Sequence, residues 1–462
     1  MATVTTLEGL DELRAQVRGE VITSDDGRYE QARQVYNAMI DKRPALVARC
    51  RDIADVRAAL AFGRANGLDI AVRGGGHNGA GFGTVDDGIV IDLSPMRWVR
   101  VDPEARTAHV GGGCMLADID HATHAFGLAA PVGIIGTTGV GLLLGGGVGH
   151  LTRKHGLSID NVLAADVVLA DGTFVRASED ENADLFWAIR GGGGNFGVVT
   201  ALTLQLHPVS TVIAGPILWP IDAAAEVLAW YREFLPAQPD ELTGFFAFLT
   251  VPPGPPFPEP LHMQKVCAVA WCYGGDDMAT VDELLKPARE VATPALDGVM
   301  PLPLPAWNAA FDGLYPAGDQ WYWRGDYFNE IPDAAIDIHA EFGKKLPTWK
   351  STMHLYPSDG AASRVAPDAT PWTYRDAKWT GVFAGVDPDP ANADAIREWT
   401  VAYHEALHPY SMGGSYMNFM MEEGQERVQA AYGSNYARLA GIKAKYDPEN
   451  VFHVNQNIKP TA

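Results

Sequence analysis

The sequence predicts an α+β chain of two domains, and three observations carry that expectation. Its glycines are clustered: residues 74–197 hold 26 of the 49, while the rest of the chain stays near the ordinary ~7%. The same half alternates helical spacing with hairpin signals. Composition then changes near residue 210, where glycines thin out, prolines become frequent and most of the tryptophans begin. A length of 462 residues suits two or three domains. It is also enough to bury a large core without disulfides or a metal.

The elements follow in order. Residues 1–40 are polar and read as helical, ending at Arg43-Pro44. ALVARC (45–50) reads as a strand. Ile53, Val56 and Leu60 recur at helical spacing, with Gly67 as the stop. DIAVR (69–73) and GIVIDL (88–93) are strands on either side of a glycine run. Residues 98–113 read as a hairpin turning at Asp102-Pro103, and 115–127 as a helix. Residues 161–178 form a second hairpin on the turn Asp171-Gly172. A short helix over 181–191 and an alternating strand over 198–209 close the region. The first domain is therefore placed at 1–209, with its core at about 43–209. The second domain is placed at 210–443, and a separate Asn-rich segment at 444–462.

Charge excludes some functions. The chain carries 35 Lys and Arg against 57 Asp and Glu, a net charge of −22. Such a chain repels phosphate backbones and anionic membranes, so neither nucleic acid nor a membrane is an expected partner. The start, MATVTTLEGLDELRAQVRGE, has early acids and no apolar run, unlike a signal peptide. No 18-residue apolar stretch follows. A cytoplasmic, reducing location is expected, with the four cysteines as buried thiols. Cys267 and Cys272 lie in a strand-like run, on opposite faces.

Five motifs carry chemistry. RGGGHNGAGFG (73–83) contains G-x-G-x-x-G after a strand. A dinucleotide turn needs a helix next, and AGFGTVDDG cannot supply one. What remains is a loop able to lie against a ligand, with His77 at its centre, or a loop with an incidental histidine. VGIIGTTGVGLLLGGGVGH (132–150) interleaves apolar residues with glycines. Its bare N–H groups suit pyrophosphate or a flat ring, and tight core packing is the alternative. RGGGGNFGVVT (190–200) runs into a β-branched strand, so its G-x-G-x-x-G match is false. HEALH (404–408) is a literal H-E-x-x-H. Pro409 stops that helix, and Ile396, Trp399, Tyr403 and Leu407 describe a plain amphipathic helix. A zinc hydrolase is the remote alternative, and no metal is expected. WYWRGDYF (321–328) and SYMNF (415–419) alternate as strands do. They put Trp321 with Trp323, and Tyr416 with Asn418, on single faces. That is either sheet packing or an aromatic wall with polar groups aimed at a substrate.

Taken in this order, the three glycine motifs resemble the vanillyl-alcohol-oxidase, or PCMH-type, FAD-binding domain, and within it the berberine-bridge-enzyme-like branch. The residues that carry the resemblance are RGGGHN (73–78), GLLLGGGVGHLTRKHGLSIDNVL (141–163), DLFWAIRGGGGNFGVVT (184–200) and YDPENVFHVNQNIKP (446–460). The resemblance implies a PCMH-type FAD-binding domain, a substrate domain made of an antiparallel sheet backed by helices, and a tail returning to the first domain. It implies FAD held by Arg73, Gly74, Gly75, Gly76, Asn78 and Gly81. It adds Thr137, Thr138, Gly141, Gly145, Gly146, Gly147 and Gly149 from the second motif. Gly197, Val198, Val199, Asn455 and Asn457 complete the set. His77 resembles the histidine that bonds to the flavin 8α-methyl. The branch's second, cysteinyl bond would fall at about Ile134, and no cysteine lies between 114 and 267. A single covalent attachment is expected. Thr137 or Thr138 falls where the family gates oxygen.

The implied activity is hydride transfer from a small alcohol, sugar or amine to flavin N5, with reoxidation by O2 giving H2O2. A dehydrogenase or an oxygenase on the same fold is the alternative. Tyr416 and Asn418 resemble the family's Y-x-N pair over the substrate face, with Tyr416 the expected base for an alcohol. The following FMMEEG departs from the plant pattern and argues against a plant-like alkaloid. Phe246, Phe248, Trp321, Trp323 and Tyr327 are expected pocket walls, and His354 and Arg375 expected polar contacts.

Overall fold

The computed structural model describes residues 7–461; the first six residues of the polar N-terminal stretch lie outside it. Three short, buried, β-branched strands, Leu46–Arg49, Ile70–Arg73 and Ile89–Asp92, pair in parallel. Parallel pairing needs a crossover, and the helix Ile53–Ala65 supplies one, capped by Asp52 accepting from Asp55 N–H. The N-terminal stretch is helical only over Leu10–Gln16 and Tyr29–Ala32. Between them Glu20–Thr23 adds an antiparallel edge strand, because Ile22 pairs into the core. Both expected hairpins form. With Val198–Gln205 between them they make a five-stranded antiparallel sheet.

The second half is one large antiparallel sheet. Its main strands are Thr211–Pro220, Leu242–Thr250, Lys265–Tyr273, Gln320–Phe328, Thr352–Pro357 and Trp379–Asp387. Strand alternation gives it two apolar faces. Phe246, Phe248, Cys267 and Trp271 face the helices Ala224–Phe234, Asp333–Lys344 and Ala393–Leu407. Phe245, Ala247, Ala270 and Cys272 face the glycine-rich half, packing with Ile134, Val148 and Leu157. Cys267 and Cys272 thus sit on opposite faces.

The chain returns to the first half earlier than residue 444. Met417, Met420, Val428 and Tyr432 already belong to the core built on Val110, Leu185 and Phe196. The helices Gln425–Tyr432 and Tyr436–Tyr446 bury their apolar residues there. The tail is pinned by two buried side chains. Lys443 donates to Asp447, Asn195 O and Phe452 O. Asn195 donates to Gln456 O and accepts from Ile458 N–H. Among the described residues, no helix is long and apolar enough to cross a membrane.

Two buried arginines join the halves. Arg153 pairs with Asp359 at 2.8 Å and donates to carbonyls of residues 238–242. Arg375 grips Asp160 with two bonds of 2.7 and 2.8 Å. Arg375 is therefore a structural clamp and not the substrate contact the sequence suggested. Asp160→Ala strands this almost fully buried guanidinium and is expected to cost about 3–5 kcal/mol. Urea unfolding measures it, and a loss below about 1 kcal/mol, as for an exposed pair, contradicts the clamp.

Candidate active site

A cavity of about 390 Å³ lies between the glycine loops and the large sheet. Its glycine side exists because two backbones touch. A Cβ on Gly75 would overlap Gly139 N and Cα, and one on Gly139 would overlap Gly75. The first and second glycine motifs are thus pressed back to back. Three other lining glycines face open space: a Cβ at Gly141, Gly193 or Gly194 meets no protein atom within 4 Å.

His77 stands at the junction of the two loops. Tyr36 stacks on its ring at 3.8 Å and 18°. Thr137 Oγ1 lies 3.2 Å from Nε2 and Thr138 Oγ1 3.3 Å from Nδ1. Burial pulls its pKa down to about 4, so the ring is neutral at physiological pH. Tyr36 is fixed in turn. Its hydroxyl donates to Tyr315 O, and the fully buried Asn37 donates to Gly79 O and Trp321 O and accepts from Trp321 N–H.

Of the expected FAD contacts, Arg73, Gly74, Gly75, Gly76, His77, Asn78, Thr138, Gly141, Gly145, Gly197, Val199 and Asn455 line the cavity. The others support it from behind. Gly81 packs on Ile40, Gly147 on Ser158 and Gly149 on Val132 O. Gly146 leaves room for Trp372 and Tyr416. Val198 is buried in the core, and Asn457 O accepts from Gln425. Thr137 reaches the site through His77.

Trp321, Trp323, His354, Tyr416 and Asn418 also line the cavity. Tyr416 and Asn418 lie around a short 3-10 turn, Met417–Phe419, and not on a strand. They meet all the same: Asn418 Nδ2 donates to Tyr416 Oη at 2.6 Å and to Leu142 O at 3.0 Å. Gly147 N–H donates to the same Oη at 2.8 Å. Burial raises the Tyr416 pKa to about 12, with these two donors opposing the rise. Phe246 and Phe248 are corrected: they point to the helices, since the strand runs in the opposite phase from a pocket wall. Tyr327 is corrected too. It stacks on Tyr374 at 4.8 Å, against Trp372. Sequence reasoning missed Tyr36, Asn37 and Tyr356. Only Tyr356 left a signal, the alternation Thr352, His354, Tyr356.

The cavity's chemistry fits FAD. Among the described residues, no Asp, Glu or Lys lines it. The one lining cation, Arg73, is engaged with Asp92 and two carbonyls. A phosphate-bearing ligand therefore meets bare backbone and no repelling acid. Three buried polar atoms on lining residues, Trp321 Nε1, Trp323 Nε1 and Asn455 Oδ1, have no protein partner. All four cysteines are buried away from the lining.

The H-E-x-x-H motif lies elsewhere. His404 Nε2 and His408 Nδ1 converge on Asp326 Oδ2, at 3.1 and 2.8 Å. Arg427 Nη2 sits 3.1 Å from the other Asp326 oxygen and 3.5 Å from His404 Nε2. Glu405, which would be the hydrolytic base, is exposed. Arg427 also pairs with the buried Glu423, which takes Arg324 as well. This is an ion-pair network of two carboxylates, two guanidinium groups and two imidazoles.

The comparisons with known proteins agree with the site. An FAD binding domain model matches residues 44–178, and a berberine and berberine-like model matches 415–459. An FAD-linked oxidoreductase of Dictyostelium discoideum is 32% identical, over 98% of this chain and 97% of its own. The (R)-6-hydroxynicotine oxidase of Paenarthrobacter nicotinovorans is also 32% identical, over 96% and 97%. The crystal structure of 6-hydroxy-D-nicotine oxidase from Arthrobacter nicotinovorans superposes with a TM-score of 0.85 at 28% identity, covering 96% of this chain and 98% of that one. A chitooligosaccharide oxidase gives 0.81 at 25%, covering 98% and 100%. Fold and site define an FAD-linked oxidoreductase, which displaces the zinc hydrolase. The chain belongs to the berberine-bridge-enzyme-like family of FAD-linked oxidases.

Burial holds His77 near 4 and His150, His339 and His354 near 3. These folded values lie below the unfolded ~6.5. The unfolded chain therefore takes up protons first, and stability falls as pH drops from about 6.5 toward 4. The urea midpoint of the flavin-free protein is expected to be lower at pH ~5 than at pH ~7. Equal midpoints contradict the neutral buried histidines.

Proposed function

We propose that the enzyme oxidises a small substrate by hydride transfer to FAD and passes the electrons to O2, giving H2O2. The observation that carries this reading is the placing of His77 and Tyr416 on one cavity, lined by bare glycine backbone on one side and aromatic side chains on the other. The (R)-6-hydroxynicotine oxidase and the chitooligosaccharide oxidase named above support an oxidase.

When bound, FAD supplies the two-electron acceptor; the protein supplies position and exclusion. His77 would hold the flavin through one covalent bond to its 8α-methyl. Burial keeps its ring neutral, and Tyr36, Thr137 and Thr138 orient it. Among the described residues, no cysteine lines the cavity, which supports a single attachment. Lining glycines and Asn455 would hold the rest of the cofactor. Trp321 and Trp323 wall the substrate side.

Tyr416 takes a different role from the base expected of it. Its oxygen already accepts from Gly147 N–H and Asn418 Nδ2, so what it offers the cavity is its proton. In this reading Tyr416 donates to a substrate oxygen and holds the reacting carbon in place. Asn418 orients Tyr416.

Anaerobic mixing with substrate is expected to bleach the yellow flavin, and air to restore it rapidly with one H2O2 per flavin. Slow restoration without peroxide indicates a dehydrogenase and contradicts the oxidase reading. Tyr416→Phe removes one donor, worth about 1.5 kcal/mol, and is expected to weaken substrate binding about tenfold. Unchanged binding contradicts the donor role.

A further inference from the structure

The strand Thr352–Pro357 places Thr352, His354 and Tyr356 on one face, and all three line the cavity. Their hydrogens can be assigned from their partners. Thr352 Oγ1 donates to Phe248 O at 2.8 Å, so toward His354 it can only accept. His354 Nε2 lies 2.9 Å from that oxygen and therefore carries the ring proton. Nδ1 is then the acceptor, and Tyr356 Oη, 2.6 Å away, donates to it. The other tautomer leaves Nε2 beside Thr352 with no donor. Desolvation keeps this half-buried histidine neutral. Tyr356 has committed its proton to His354, so its oxygen faces other partners as an acceptor only.

Tyr416 has the opposite sense: its oxygen is filled by two donors and its proton is free. The two tyrosines flank Phe419, whose ring lies 4.8 Å from Tyr416 and 5.7 Å from Tyr356. One cavity thus offers a hydroxyl that donates and a hydroxyl that accepts. An alcohol oxygen, which both accepts and donates, has a use for each. No carboxylate lines the cavity to pair with an ammonium group.

The geometry points to Tyr356, backed by His354, as the group that accepts the hydroxyl proton of an uncharged alcohol substrate. This deepens the proposed function and rests on it. The balance is simple. The carbinol C–H bond breaks and its hydride leaves with both electrons for FAD, so carbon is oxidised and FAD reduced by two electrons. The O–H bond breaks and its proton goes to Tyr356 Oη as the Tyr356 proton moves to His354 Nδ1. The carbon–oxygen bond becomes a carbonyl, and His354 is left as an imidazolium donating to Tyr356 and Thr352. A neutral amine has no O–H proton to hand over, so the Tyr356–His354 pair has no task in its oxidation.

The test uses the FAD-loaded enzyme under anaerobic stopped flow, with benzyl alcohol, cinnamyl alcohol, glucose, cellobiose and benzylamine as probes. An alcohol or sugar is expected to bleach the flavin faster than benzylamine. With the best probe, Tyr356→Phe and His354→Asn are each expected to slow bleaching by roughly 10²–10⁴. The double variant is expected to be no slower than either single one, because the two act as a unit. The parent's solvent deuterium isotope effect on bleaching is expected to vanish in both. Probe affinity is expected to change little, which a general structural defect would not allow. Bleaching by Tyr356→Phe at the parent's rate overturns the inference, as does preference for benzylamine, and both leave the proposed function standing. A parent bleached by dithionite but by no probe contradicts the proposed function itself. Nitrogen-15 NMR of the histidine-labelled enzyme checks the assignment without substrate: a neutral Nε2–H tautomer at His354 supports it, and an Nδ1–H tautomer overturns it.

Discussion

The contact between Gly75 and Gly139 is the constraint on which the site depends. Neither position tolerates a side chain, because each backbone occupies the space the other's Cβ would need. Pressing the two loops together brings residue 77 of one beside residues 137 and 138 of the other. Gly141 of the second loop and Gly193 and Gly194 of the third face open space beside them. The large sheet closes the remaining side, docked by its Phe245 face and clamped by Arg153 and Arg375. Glycine here works by absence: it lets backbone meet backbone, and backbone meet ligand.

The electrostatics of the cavity run against those of the chain. A protein of net charge −22 places no acid on this lining. Its lining histidines, His77 and His354, are neutral through burial. In the proposed function, selectivity rests on hydrogen-bond sense. Tyr416 and Tyr356 are chemically the same side chain, yet their neighbours make one a donor and the other an acceptor. A separate set of charged groups, the Asp326–His404–His408–Arg427–Glu423 network, contributes no residue to the lining.

Much of this was legible in the sequence, and the failures have physical causes. The glycine loops were readable because glycine has few other reasons to cluster. Strand alternation correctly separated Cys267 from Cys272, and paired Trp321 with Trp323. It could not say which face of the strand Leu242–Thr250 meets the site, since both faces are apolar, so Phe246 and Phe248 were placed on the wrong side. Arg375 is a lone cation in sequence, and only the fold brings Asp160 to it. Tyr416 and Asn418 meet through a turn that period-2 spacing imitates. Tyr36 sits in a polar stretch without periodicity, and its role comes wholly from stacking on His77. The helix motif HEALH was a true geometric convergence with a guanidinium beside it.

In the proposed function the paired glycine loops present His77 to the flavin as its one covalent anchor. Peptide mass spectrometry of the proteolysed holoprotein tests it most directly. The peptide spanning His77 is expected to carry the added mass of FAD, with fragmentation placing it on the histidine and no cysteine peptide modified. An unmodified His77 peptide from a protein that is yellow before digestion would contradict it, as would flavin found on any cysteine.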